Sequence, residues 1–222
     1  QHNNAFGAEA LGACTTGSYN CAFGGDALLS LTTASNTTAV GDDAGRALTT
    51  GANNTFVGST AGDANTTGAQ NVAMGSAALS ANIGADNNTA VGFAALAANT
   101  TGTLNTAFGA SAGAAIAGAG NYNTLIGASA GDAITTGDDN TAVGRGALTN
   151  CTTSGINTAI GSVALEALTT GGDNVAVGYG AGKAITTASQ NVSLGTNAGN
   201  DVTTGNNNVF IGDDSNSGTG AA

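Results

Sequence analysis

Thr37-Thr38-Ala39-Val40-Gly41-Asp42-Asp43-Ala44-Gly45-Arg46-Ala47-Leu48-Thr49-Thr50-Gly51-Ala52-Asn53 is one copy of a unit that fills the chain. Its Val40-Gly41 step, a large apolar residue followed by glycine, recurs with the glycine at Gly7, Gly24, Gly41, Gly58, Gly75, Gly92, Gly109, Gly127, Gly144, Gly161, Gly178, Gly195 and Gly212. Every interval is 17 residues except one of 18, between Gly109 and Gly127, where Gly118 to Tyr122 carries an extra residue. Counting position 1 four residues before that glycine, the consensus is Asn-Thr-Ala-Val-Gly-x-x-Ala-(Gly/Leu)-x-Ala-(Leu/Ile)-Thr-Thr-Gly-x-x. A short period repeated without a gap marks stacked structural units. Seventeen residues are too few for two helices and a turn, but they hold two strands of four to six residues and two tight turns. The reading is an all-β β-solenoid of thirteen coils, a single domain over residues 1–222 with no separate caps. The thirteen glycines at position 5 are expected at a turn that needs positive φ or close approach of the next coil.

Position 4 is always large and apolar (Phe6, Val40, Met74, Ile126, Ile211), and position 2 is mostly Thr or Val, so the two share one face of a strand. Position 3 points the other way and is mostly small and apolar. Ala22, Ala39, Phe56, Ala73, Ala90, Leu125 and Phe210 are therefore expected to form an outward face for lateral packing. On a second strand, position 12 (Leu31, Leu48, Ile134, Leu168, Ile185, Val202) is expected to face the core with position 9. Position 9 alternates pairs of Leu with pairs of Gly, with position 12 expected to replace the lost volume. Asn65, Asn82 and Asn99 interrupt the position-12 row, where stacked amides are expected to satisfy one another. Asn at position 1, present in twelve of thirteen copies, reads as a structural amide ladder at a corner rather than a binding row.

The composition excludes several classes. Of 222 residues 37 are Gly and none is Pro, against collagen; only 8% are charged, against a disordered acidic chain. A net charge of −11 disfavours nucleic acid and anionic lipid as partners. No run of eighteen apolar residues exists, so membrane insertion is not expected. The N-terminus Gln1-His2-Asn3-Asn4 shows no signal-peptide pattern.

Catalytic chemistry is nearly absent. The one histidine, His2, lies at the terminus, so no Ser-His-Asp or Cys-His arrangement can be assembled along the rod, and no enzyme and no cofactor are expected. Asp42-Asp43, Asp138-Asp139 and Asp213-Asp214 sit at turns where paired carboxylates could hold Ca²⁺, although solvated turn acids are the commoner case. Arg46 with Asp63, and Glu166 with Lys183, occupy position 10 of adjacent coils as opposite charges. Cys14 and Cys151 replace aliphatics at position 12, and Cys21 is expected to oppose Cys14 across the interior. Thr-Thr at positions 13 and 14, as in Thr49-Thr50 and Thr135-Thr136, offers a regular row for ice, weighed against simple β-propensity with hydrogen bonds between coils. Asn-x-Ser/Thr sequons begin at Asn36, Asn53, Asn65, Asn87, Asn99, Asn150 and Asn191. The exposed rings Tyr19, Phe93, Tyr122 and Tyr179 are scattered over turns and define no patch.

Asn174-Val175-Ala176-Val177-Gly178 and Asn71-Val72-Ala73-Met74-Gly75 resemble the Asn-x-Val-Ala-Ile-Gly-type repeats of trimeric autotransporter adhesin heads (YadA-like) and of related phage tail-fibre shafts. The resemblance covers all thirteen copies and implies a left-handed parallel β-roll, extracellular or cell-surface display and often a trimer. The period here is longer than the usual head coil, Ala stands at position 8 where those heads favour Ser, and no neck, stalk or anchor is expected. The function expected is that of a structural subunit of an extracellular fibre, the rod stacking head to tail with copies of itself into a filament. The alternatives are a trimeric surface adhesin or tail-fibre shaft, and an ice-binding protein using the threonine rows.

Overall fold

Asn-Thr-Ala-Val places a β-branched residue and a large apolar residue on either side of a small one, and this segment is the strand of every coil. The computed structural model describes residues 2–216; Gln1 and the end of coil thirteen, 217–222, lie outside the described residues. The strands are β1 (Asn4–Phe6), β2 (Cys21–Phe23), β3 (Thr38–Val40), β4 (Thr55–Val57), β5 (Val72–Met74), β6 (Thr89–Val91), β7 (Thr106–Phe108), β8 (Thr124–Ile126), β9 (Thr141–Val143), β10 (Thr158–Ile160), β11 (Val175–Val177), β12 (Val192–Leu194) and β13 (Val209–Ile211). They form a single parallel sheet in chain order, so each coil pairs with the next: a parallel β-solenoid. Position matches position, with Ala39 between Ala22 and Phe56, and the extra residue of coil seven is absorbed outside the sheet, where Thr106 pairs with Thr124. At the spacing of neighbouring strands the rod is about 60 Å long.

The expected second strand does not form. Positions 6 to 11 run as turns, because positions 7 and 9 take left-handed backbone: Asp26 has φ 52°, Leu28 φ 53° and Gly45 φ 60°. Backbone bonding between coils persists there, with Leu28 N–H donating to the Ala44 carbonyl and Ser30 N–H to the Arg46 carbonyl, both at 3.0 Å. The position-5 glycines meet both expected demands. Their φ lies between 121° and 145°, and a Cβ on Gly7 would stand 2.1 Å from the Gly24 carbonyl oxygen.

The core reverses the expected facing of the strand. Ala22, Ala39, Phe56, Ala73, Ala90, Leu125 and Phe210, expected on an outward face, are buried in the interior, and positions 2 and 4 point to solvent. The physical reason is width. Leucine at position 9 and the aliphatics of position 12 reach into a narrow roll, together with the buried alanines of position 8, so position 3 has room for little more than a methyl group.

That limited space also explains the alternation at position 9. A Cβ on Gly45 or Gly62 would come within 2.6 Å of the Phe56 ring, and a Cβ on Gly113 or Gly131 within 2.8 Å of the Leu125 methyls. Paired glycines thus accommodate a large side chain at position 3. The expected compensation from position 12 contributes as well: a Cβ on Gly131 would stand 2.7 Å from Ile134 Cδ1, and one on Gly182 3.1 Å from Ile185 Cδ1. Coil twelve departs from this, since Ser193 stands there between Gly182 and Gly199, its Oγ buried with no hydrogen-bond partner among the described residues.

The position-1 asparagines close each coil. Asn71 Nδ2 donates 2.8 Å to the Ala85 carbonyl near the end of its own coil, and Asn71 N–H donates 2.9 Å to Asn54 Oδ1 in the coil before. The same pair of bonds recurs at Asn20, Asn88, Asn105, Asn123, Asn140, Asn157 and Asn174. Each bond satisfies a buried backbone group, which would otherwise be costly to remove from water. Asn65, Asn82 and Asn99 do not bond one another as expected; each clamps its own turn, as where Asn65 Oδ1 accepts from Gly68 N–H at 2.8 Å.

Candidate interaction surface

Period-two alternation with position 3 buried leaves positions 2 and 4 as one outward face along the whole sheet. Position 4 lines it with Phe6, Phe23, Val40, Val57, Met74, Val91, Phe108, Ile126, Val143, Ile160, Val177, Leu194 and Ile211. Stacking on the coils above and below covers part of each side chain, yet Phe108 remains 57% and Ile126 40% exposed. Phe6 and Phe23 stack with ring centroids 4.6 Å apart. Position 2 supplies Thr38, Thr55, Thr89, Thr106, Thr124, Thr141 and Thr158 through the middle and Val175, Val192 and Val209 at the last strands. A stripe about 60 Å long and two residues wide presents on the order of 500 Å². That is at the upper end of what a lone soluble monomer exposes.

The position-13 threonine row is engaged in hydrogen bonds between coils, the reading weighed against a row for ice. The position-13 hydroxyls donate to the carbonyl of the same position one coil on, as Thr49 to Thr66 at 2.8 Å and Thr135 to Thr152 at 3.0 Å. The position-14 threonines, among them Thr33, Thr50, Thr67 and Thr136, are exposed. Ile83 and Gly84 interrupt both rows, and an open groove of about 340 Å³ lies there, lined by Ile83, Ala85, Thr100 and Thr103.

The acids lie apart. Asp42 is exposed, and Asp43 pairs with Arg46 in its own turn at 3.4 Å, so the expected Arg46–Asp63 pair is replaced by a local one. Lys183 does pair with Glu166, at 3.0 Å. Asp138 Oδ1 accepts the Asn121 N–H at 2.6 Å, a structural bond between coils, while Asp139, Asp213 and Asp214 are exposed. No three acidic, histidine or cysteine side chains converge among the described residues. Burial pushes the carboxyls of Asp63 and Asp132 up; the Arg46 charge and a backbone hydrogen bond pull back on the first, and a Ser129 hydrogen bond on the second.

The cysteines are free thiols. Cys151 is buried, its thiol pushed up by that burial, with Ser154 Oγ 3.1 Å away. Cys21 does not oppose Cys14 as expected, because position 2 points outward. Tyr19 stacks on His2 with centroids 5.4 Å apart, and Tyr19 and Tyr122 both project from position 17 or its equivalent. That position, placed at a turn by the sequence, is left-handed in every described coil end, a conformation that Asn36, Asn53, Asn87, Asp139, Asp173 and Asn207 tolerate.

No helix among the described residues is long and apolar enough to cross a membrane. Neither a protein-family model, nor a curated protein, nor a solved structure matches the chain.

Proposed function

We propose that this chain is a structural rod of an extracellular fibre, and that copies pack side by side through the outward face of positions 2 and 4. The observation that carries the reading is the unbroken apolar row from Phe6 to Ile211, whereas the large apolar side chains exposed elsewhere, among them Tyr19, Ile83, Phe93 and Ile156, are scattered over the turns. A single adhesive face favours a closed assembly about one axis, because each contact leaves no second equivalent face to propagate a sheet. The resemblance to trimeric adhesin heads and tail-fibre shafts points to three copies. Stacking of coil on coil, the same parallel pairing that runs strand by strand along the sheet, would lengthen such a bundle into a filament. Display outside a cell suits a chain with only three Lys and Arg residues for trypsin and with backbone pairing along its whole length.

Sedimentation analysis tests the reading. The wild-type chain is expected to sediment as a small closed oligomer, and the Ile126→Asp/Ile160→Asp variant as a monomer with unchanged circular dichroism, since both side chains lie outside the core. A monomeric wild type, or a variant that still associates, overturns it. Electron microscopy of the same samples separates discrete bundles from filaments with an axial repeat of about 60 Å.

A further inference from the structure

Seven Asn-x-Ser/Thr sequons occur, and the fold divides them sharply. Transfer of a glycan to Asn requires an amide nitrogen free to react and a hydroxyl two residues on that is free to be recognised. Asn65 and Asn99 are buried, with both ends of the amide clamped to Gly68 and Gly102. Asn191 is buried, donates to Asn174 Oδ1, and its partner Ser193 is buried as well. Asn150 is exposed, but its Nδ2 donates 2.8 Å to the Glu166 carbonyl and the Thr152 hydroxyl 3.2 Å to the Thr169 carbonyl.

Asn36, Asn53 and Asn87 differ in each respect. All three occupy position 17, exposed, in left-handed turn backbone with φ between 58° and 61°. Their side-chain amides make no hydrogen bond to another described residue, and neither do the hydroxyls of Thr38, Thr55 and Thr89, which stand on the outward side of β3, β4 and β6. Three complete acceptors thus lie along one edge of the rod within coils two to five.

We propose that this edge is an N-glycan acceptor site, selective for Asn36, Asn53 and Asn87. In the transfer the Asn Nδ2 bonds to C1 of a lipid-pyrophosphate-linked oligosaccharide. The C1–O bond to phosphate breaks, the lipid pyrophosphate leaves with the electron pair, and the amide proton passes to a base of the transferase. Asn36 and Asn53 are on adjacent coils, about 5 Å apart, so one glycan there shields the other amide and a chain carries at most two on this edge.

The test incubates the folded chain with an oligosaccharyltransferase that requires only Asn-x-Ser/Thr, together with its lipid-linked donor, and maps the products by mass spectrometry. Modification confined to Asn36, Asn53 and Asn87, with every sequon modified once the chain is denatured, is the expected result. Modification of Asn65, Asn99, Asn150 or Asn191 in the folded chain overturns it. Because Thr38, Thr55 and Thr89 border the apolar face, the assay is repeated on Ile126→Asp/Ile160→Asp. Acceptors silent in the wild type but active in that variant would report shielding by a packed copy, which supports the acceptor assignment; silence in both sinks it.

Discussion

Asn54 Nδ2 donates to the Gly51 carbonyl at 3.1 Å as well as to Gly68 at 2.9 Å, and the first of these bonds serves the coil before its own. Coil three needs this help because Thr37 stands where every other copy has Asn. Thr37 N–H still donates to Asn20 Oδ1 at 3.0 Å, but its hydroxyl is buried without a partner among the described residues and cannot span to the coil's end. Thr37→Asn is therefore expected to stabilise the rod by about 1 kcal/mol, the usual net worth of one restored buried hydrogen bond. Urea denaturation of the two chains checks it, and an unchanged or lower midpoint would count against the ladder.

The exchange between positions 3 and 9 makes a sharper demand. Phe56→Ala empties the space between Gly45 and Gly62 and is expected to cost about 3–5 kcal/mol. Adding Gly45→Leu and Gly62→Leu recreates the Leu79/Ala73 and Leu96/Ala90 arrangement of coils five and six and is expected to recover most of that loss. Either glycine changed alone, with Phe56 kept, should destabilise. A triple variant no more stable than Phe56→Ala would show that the two positions do not trade volume.

Cys21 lies on the outward face beside Phe23 and reports directly on how copies meet. If copies pack in register through this face, mild oxidation is expected to yield a Cys21–Cys21 linked dimer on non-reducing electrophoresis, while Cys21→Ser gives none. Cys151, enclosed in the core, should stay unlinked. Failure of wild-type Cys21 to cross-link at concentrations where the chain is oligomeric would exclude in-register packing.

Asp132 gives the pH dependence a definite sign. Its folded carboxyl is raised above the ordinary 3.8 by burial, so the folded state holds the proton more tightly than the unfolded state. The penalty is absent below the ordinary value and appears as pH rises through the folded value. Asp132→Asn is accordingly expected to be more stable than the wild type at neutral pH, and the difference should vanish on acidification below 3.8. Thermal melts across that range decide it, and an advantage that grows in acid contradicts the assignment.

Ser193 is the remaining irregularity of the core. Its hydroxyl is buried without a partner among the described residues, and Ser193→Ala removes that polar atom without opening a large void. The variant is expected to gain about 1 kcal/mol, read as a higher midpoint in the same urea titration.

The parallel pairing was implied by the resemblance, while the repeat itself was sufficient for the stacked coils, the close approach at the position-5 glycines and a structural rather than binding role for Asn at position 1. These follow from period, from the one residue without a Cβ, and from a polar side chain that must find backbone partners at a buried corner. Which face of the strand lies inside was not legible, because positions 3 and 4 are both apolar and the alternation alone has no sign. Residues such as Ala39 and Val40 take their sides only once the coil closes. The left-handed turns at positions 7 and 9 replace the second strand and narrow the interior, leucines at positions 9 and 12 fill it, and only Cβ-sized groups fit at most position-3 sites. The larger apolar side chains are thereby sent outward, and the tertiary structure, through the width of its own interior, decides where this protein is adhesive.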